Sequence, residues 1–185
     1  MGIREILRVP DERLKQVSTP VARFDAALQL AIAELEETRL AGPAAVGIAA
    51  PQVGWFERVV IVDVSTKKGV YNHGHLILVN PEIEHWEGYE IGREGCLSVP
   101  DYTGNVIRAT RIRLTAQDPR GKPLALEMDG YEARAVQHEI DHLDGLLFID
   151  RVVSRRTDLF RRKVYAAQGA GSGGGGMQPG ARQGP

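Results

Sequence analysis

The sequence predicts an α+β protein: mostly antiparallel β-sheets around a central helix spelled H-E-x-x-H, with one helix towards the N-terminus and one towards the C-terminus. Three observations lead there. Short apolar, β-branched runs fill the middle of the chain, and helical periodicity is confined to stretches outside them. The strands follow one another directly instead of alternating with helices, which favours antiparallel pairing over a parallel α/β sheet.

The elements follow in chain order. "FDAALQLAIAELEETRLAG" places Leu28, Ile32 and Leu35 on one helical face, with Asp25 as N-cap and Gly42-Pro43 as the stop. "RVVIVDV" is a buried strand. "HLILVNPEI" is a second, broken at Pro81, which has no N–H for a ladder. "RIRLTAQD" alternates Ile112, Leu114 and Ala116 against polar partners, and "PLALEMDG" alternates Leu124, Leu126 and Met128 up to the turn pair Asp129-Gly130. The H-E-x-x-H helix runs from Tyr131 to Leu143 with Gly145 placed to stop it, and a last helix starts at Ser154 as N-cap. Residues 168–185 are dominated by glycine and predict a disordered tail, so the ordered body is residues 1–167, one domain.

The composition excludes several classes of function. A chain of 185 residues with a formal net charge of -1 has no overall pull toward nucleic acid or an anionic membrane. No sequence-specific nucleic-acid partner is expected. The single cysteine, Cys96, rules out an intrachain disulfide and suits a reducing compartment. The start, "MGIREILRVP", lacks the apolar core of a secretory signal, and Ile6 stands where myristoylation wants Ser or Thr. No run approaches the ~20 apolar residues of a membrane helix. The expectation is a cytoplasmic protein with no membrane partner.

The chemistry concentrates in "QHEIDHLDG". His138 and His142, four apart on a helix, project from one face and can reach one ion. Glu139 leans beside them, where a general base for a water would sit. The bland alternative is a helix with one hydrogen-bonded and one wet histidine; the adjacent glutamate argues against it. A catalytic site of this kind needs a third protein ligand. The long zinc-protease motif would put a histidine where this chain has Phe148, and beyond His142 only Asp144, Asp150 and Asp158 remain as ligand types. The third ligand is therefore sought upstream, among Cys96, His73, His75 and His85. Cys96 sits in "REGCLSVP" beside Gly95; His73 and His75 sit in a polar loop and are expected to be solvated. A further stretch, "AAVGIAAPQVG", is either a plain loop or a close backbone approach to a ligand, with the Gln52 amide able to donate to an oxyanion.

Taken together, "VGIAAPQ", "EGCLS" and "QHEIDH" resemble the three motifs of the peptide deformylase family, in order, over residues from about 3 to 165. The resemblance implies that Cys96, His138 and His142 hold one divalent metal, with water in the fourth position. It implies Fe²⁺ as the metal in cells, with Zn²⁺, Ni²⁺ or Co²⁺ as substitutes. It implies that Glu139 is the general acid/base, and that Gln52 and the Leu97 N–H polarise the formyl oxygen. It implies that Glu94 and Arg108 form a buried ion pair behind the cysteine. Val46, Gly47, Tyr131, Arg134 and Ala135 would line the pocket for the substrate's first side chain. The reaction implied is hydrolytic removal of the formyl group from N-formylmethionyl nascent peptides. One position departs from the family pattern: Ala45 stands where a glycine is usual. The alternative reactions are those of a zinc endopeptidase, for which the downstream ligand is missing, or a non-catalytic metal domain, which would not need Glu139. The basic end, with Arg151, Arg155, Arg156, Arg161, Arg162 and Lys163, is either a solvated helix face or a ribosome-contacting patch.

Overall fold

The computed structural model describes residues 2–43 and 45–162. Among the described residues, eight strands form two antiparallel sheets. The larger has the order β1 (Gly47–Ala49), β2 (Val59–Asp63), β3 (His75–Glu87), β6 (Arg111–Gln117), β7 (Pro123–Asp129). The smaller has the order β4 (Glu90–Cys96), β5 (Val99–Arg108), β8 (Leu159–Arg161). Helix α1 (Ala26–Ala41) covers one face of the larger sheet, α2 (Gly130–Leu143) covers the other, and α3 (Phe148–Arg151) is a single turn against the smaller sheet.

Strand β2, "VVIVD", shows why the sheet needs a helix on each face. Val60 and Val62 pack with Leu78, Ile112 and Leu114 against Val136, Ile140 and Leu143 of α2. Val59 and Ile61 point the other way, with Ile48 and Val79, into Leu28, Ile32 and Leu35 of α1. A strand buried on both sides is apolar throughout instead of alternating. Helix α1 begins as its sequence indicates: the Asp25 carboxylate accepts from the Leu28 N–H at 3.1 Å. Gly145, at φ 71°, ends the turn after α2, where a side chain would strike the Lys15 backbone.

Two expectations are corrected by the fold, and one of two alternatives is removed. Pro81 does not break β3; the ladder to β6 slips by a bulge between Val79 and Glu82, which absorbs the missing N–H. No helix starts at Ser154. Its N–H bonds the Asp158 carboxylate at 3.2 Å, its C=O accepts from the Asp158 N–H at 2.8 Å, and the turn feeds β8, which pairs with the free edge of β5. "AAVGIAAPQVG" is not a plain loop; it holds β1 and the 3₁₀ turn Ala50–Val53. His73 and His75 are exposed as expected, although each meets a carboxylate, as described below. The expected tail, 168–185, and the last part of the expected body lie outside the described residues. No described helix is long and apolar enough to cross a membrane.

Candidate metal centre

Helix α2 brings its two histidines to the side that meets the smaller sheet. Their rings lie 5.1 Å apart at 81°, one helical turn from each other. Cys96 ends β4 at an irregularity in the β4–β5 ladder, between Gly95 and Cys96, which turns the thiol toward α2. Its Sγ is 3.2 Å from His142 Nε2, and one ligand atom from each of Cys96, His138 and His142 lies within 4.8 Å of the others. All three are buried. Burial alone pushes the Cys96 thiol up, but the His142 and His138 imidazoles outweigh it and hold the thiol well below its ordinary value. A thiolate and two imidazoles converging without a fourth protein ligand among the described residues are a donor set that fits a divalent ion with an open position.

The shell behind the ligands is an ion network. Glu94 Oε2 lies 2.8 Å from His138 Nδ1, which leaves Nε2 to face the centre. Arg108 grips Glu94 with two bonds of 2.9 and 3.0 Å and donates to Asp141 at 2.5 Å. Arg151 closes the chain on Asp141 at 2.6 Å. Burial raises the Glu94 carboxyl, but its bonds to His138 and Arg108 prevail and hold it well below the usual carboxylate range. The network ties β4, β5 and α3 to the metal-facing helix.

Glu139 is buried beside the ligands, and its Oε2 has no hydrogen-bond partner among the described residues. Burial pushes its carboxyl up to about 7. A buried, unpartnered carboxylate atom calls for an occupant that can share a proton. Gly47 makes room for it, since a Cβ there would lie 2.8 Å from Glu139 Cδ. Gln52 is oriented by the Ala49 N–H, which donates to its Oε1 at 2.9 Å, so its NH₂ faces inward to Ser98 Oγ at 3.0 Å and Cys96 Sγ at 3.4 Å.

These groups line one cleft of about 310 Å³, which also includes Ala45, Val46, Leu97, Tyr131, Arg134 and Ala135. Every candidate residue of the catalytic, metal and pocket sets lies in or against it except His142 and Arg108, which sit just behind. Arg134 is less open than expected: it donates to Glu94 and to the Val106 C=O, each at 3.0 Å, and to the Glu90 C=O at 2.7 Å. The other candidate ligands lie elsewhere. His73 is exposed and binds Glu132 at 2.7 Å, because the β2–β3 loop folds onto the first turn of α2. His75 meets Glu36 at 3.1 Å, His85 is exposed on β3, Asp144 pairs with Arg58, Asp150 with Lys15, and Asp158 closes its own turn. Phe148, in the place of the protease histidine, stacks on His138 with ring centres 6.3 Å apart. A larger hollow of about 720 Å³ opens on the opposite side of α2 between Trp86, Ile107 and Arg151. It contains none of the ligating atoms, so the chemistry belongs to the smaller cleft. Sequence reasoning missed Ser98, Asp141 and Arg93 and placed Arg162 only in the basic end; the bonds and the cleft wall give them a place here.

Comparison with known proteins decides the family. The model of the family described as polypeptide deformylase matches residues 3–158. The chain belongs to that family. It is 45% identical over 152 residues to the peptide deformylase of Heliobacterium modesticaldum, covering 82% of this chain and 95% of the relative. Among solved deformylase structures, that of Legionella pneumophila is 40% identical with a TM-score of 0.75, covering 81% of this chain and 86% of the other. That of Synechococcus elongatus, in complex with actinonin, is 35% identical with a TM-score of 0.76, covering 83% and 80%. The deformylase fold is thus shared across nearly all of the described chain.

Proposed function

We propose that this chain is a peptide deformylase: a metal-dependent hydrolase that converts an N-formylmethionyl peptide and water into formate and a methionyl peptide. The observation that carries the reading is the meeting, in one cleft, of the Cys96–His138–His142 donor set with the unpartnered Glu139 carboxylate. Family membership supports the same reaction.

A divalent ion held by Cys96, His138 and His142 supplies acidification of a water and polarisation of a carbonyl oxygen. The chain's own residues do the rest. Glu139 accepts the proton of the attacking water and returns it to the amine nitrogen as the C–N bond breaks, so that an amine and not an amide anion departs. Gln52 Nε2, aimed inward by the Ala49 N–H, and the Leu97 N–H donate to the formyl oxygen as charge develops on it; one such donor is typically worth about 10²–10³ in rate. Glu94 fixes the His138 ring and Arg108 fixes Glu94. Val46, Gly47, Tyr131, Arg134 and Ala135 wall the pocket for the methionine side chain. Within this reading Ala45 keeps its backbone role, accepting from Arg39 at 3.1 Å, while its methyl group narrows the cleft wall.

The proposed ion is Fe²⁺ in cells, with Zn²⁺, Ni²⁺ or Co²⁺ as substitutes, and the thiolate beside it makes Cys96 the site of oxidative inactivation. A cytoplasmic location suits the reduced cysteine and the nascent substrate. Contact with the ribosome is proposed through Arg155 and Arg156 on the turn before β8, and not through a helix. Its check is a salt-dependent ribosome affinity that charge reversal at both positions abolishes. The endopeptidase reading lacks its ligand, with Phe148 packed where it would sit. The reaction itself is tested by formate release. The Fe²⁺-loaded protein should release formate from formyl-Met-Ala-Ser and leave an unformylated peptide intact. Glu139→Ala should keep its metal and lose at least about 10³-fold in kcat. Cleavage inside the unformylated chain, or full turnover by Glu139→Ala, would overturn the proposal.

A further inference from the structure

Two guanidinium groups stand at the mouth of the cleft with no part in the metal centre. Arg93 and Arg162 both line it, and neither forms an ion pair with a carboxylate among the described residues. This sets them apart from Arg4, Arg39, Arg58, Arg108 and Arg151, each of which meets a carboxylate at 2.9 Å or less. The two carboxylates in the cleft wall are committed elsewhere: Glu94 to Arg108, Arg134 and His138, and Glu139 to the reaction. The mouth is therefore cationic.

The arginines are also held in place. The strand registers put Arg93 and Gly95 of β4, Thr103 and Asn105 of β5, and Phe160 of β8 on one face of the smaller sheet, with Arg162 next in the alternation. Arg93 donates to Asn105 at 2.9 Å and to Thr103 at 3.2 Å, and its guanidinium lies 3.6 Å from the Phe160 ring centre. All these partners are neutral, so the charge is oriented but not cancelled. The Arg162 N–H bonds the Asp101 C=O at 2.7 Å, and its guanidinium lies on the bare face of Gly95, where a Cβ would stand 3.4 Å from its Cζ and strike its Nη2. Gly95 immediately precedes the ligand Cys96, and consecutive Cα atoms are about 3.8 Å apart. An extended peptide advances about 3.3 Å per residue. A peptide with its formyl carbon at the donor set and its first side chain in the methionine pocket would therefore have its next one or two residues within reach of Arg162.

The geometry points to a charge-selective subsite in which Arg162, supported by Arg93, binds an aspartate or glutamate side chain on the second or third residue of the formylated peptide. This inference rests on the deformylase reading and names the substrate class that reading leaves open. Two guanidiniums at a half-open mouth imply a preference of about fivefold for an acidic over a neutral third residue, and a larger one over lysine.

The test compares formyl-Met-Ala-Glu, formyl-Met-Ala-Gln and formyl-Met-Ala-Lys by kcat/KM, with the glutamate also placed second. In parallel, the affinities of the deformylated peptides are measured by fluorescence anisotropy. The wild type should rank Glu over Gln over Lys in both, and about 0.5 M KCl should flatten the ranking by shortening the screening length. Arg162→Gln should bring the Glu-to-Gln ratio close to one, Arg162→Lys should restore part of it, and Arg120→Gln, on a distant hairpin, should keep it. Acid-selective, Arg162-dependent binding without deformylation would uphold the subsite and sink the deformylase reading. Deformylation with equal rates for the three peptides, binding of none of them, or a ratio unchanged in both Arg162→Gln and Arg93→Gln would overturn the subsite.

Discussion

Gly47 has no side chain because Glu139 fills the space one would take. A methyl group there would press on Glu139 Cγ and Cδ at 2.8 Å, and the only relief is to swing the carboxylate away from the ligands. Gly47→Ala is expected to retain its fold and its metal but lose about 10²-fold in kcat, since a displacement of about 1 Å in a reacting group costs that much. Circular dichroism and metal analysis beside the kinetics check it. Cys96→Ser replaces a buried thiolate by a hydroxyl that does not ionise near neutral pH, so the protein should purify with sub-stoichiometric metal; full metal content would point to another third ligand. At this scale the sequence was most informative. The H-E-x-x-H spacing put two imidazoles on one face without any tertiary knowledge, and the Phe148 substitution removed the downstream ligand. The identity of the third ligand was not legible from spacing alone. Cys96 and His73 were both upstream, and only the folded chain shows His73 bound to Glu132 and Cys96 turned toward His142.

The elements that carry the ligands, β4 and α2, are joined by charges and not only by apolar packing. Arg108 lies between Glu94 and Asp141 with its side chain 4% exposed, and both carboxylates are buried. Arg108→Ala leaves two buried anions short of a partner. It should destabilise the fold by about 3–5 kcal/mol and lower Tm by roughly 10 °C. Arg108→Lys should rescue little, because an ammonium cannot grip Glu94 with two parallel bonds while reaching Asp141. Thermal unfolding of the three proteins decides it. The hairpin of β4 and β5 was hard to see in the sequence because its glycines dilute the strand signal. Gly92 admits the Arg134 guanidinium, whose Cζ a Cβ would meet at 2.5 Å, and Gly104 admits Phe148, 2.9 Å from where its Cβ would stand. These strands lose local β-propensity to let other elements approach. Ser154 misled for the converse reason. Its capping potential is real, but the Asp158 carboxylate and the unpaired edge of β5 turn the following residues into a strand.

At the scale of the whole molecule, the metal centre is where the two sheets and α2 meet, with Cys96 from the smaller sheet and both histidines from the helix that covers the larger one. An ion held there links those parts in the folded state and not in the unfolded chain. Removing it with a chelator should lower Tm by several degrees, corresponding to about 3–4 kcal/mol at 10²–10³ times Kd, and adding back Ni²⁺ or Zn²⁺ should restore it. A Tm indifferent to chelator would mean that the centre is preformed by the Glu94–Arg108–Asp141 network alone. The sequence by itself determined the α+β class, the boundaries of α1 and α2, the two-histidine face with its glutamate, and the family resemblance, because each rests on local periodicity, capping or short-range spacing. The tertiary structure decided what depends on contacts between residues far apart in the chain. It turned Cys96 into the third member of the donor set, left Glu139 Oε2 without a partner among the described residues, made Pro81 a bulge and the Ser154 segment a turn into a strand, and laid Arg162 across Gly95 at the mouth of the cleft. Apart from the Ser154 turn, which Asp158 closes locally, none of these has a local signature, since the environment is supplied by an element that the sequence places tens of residues away.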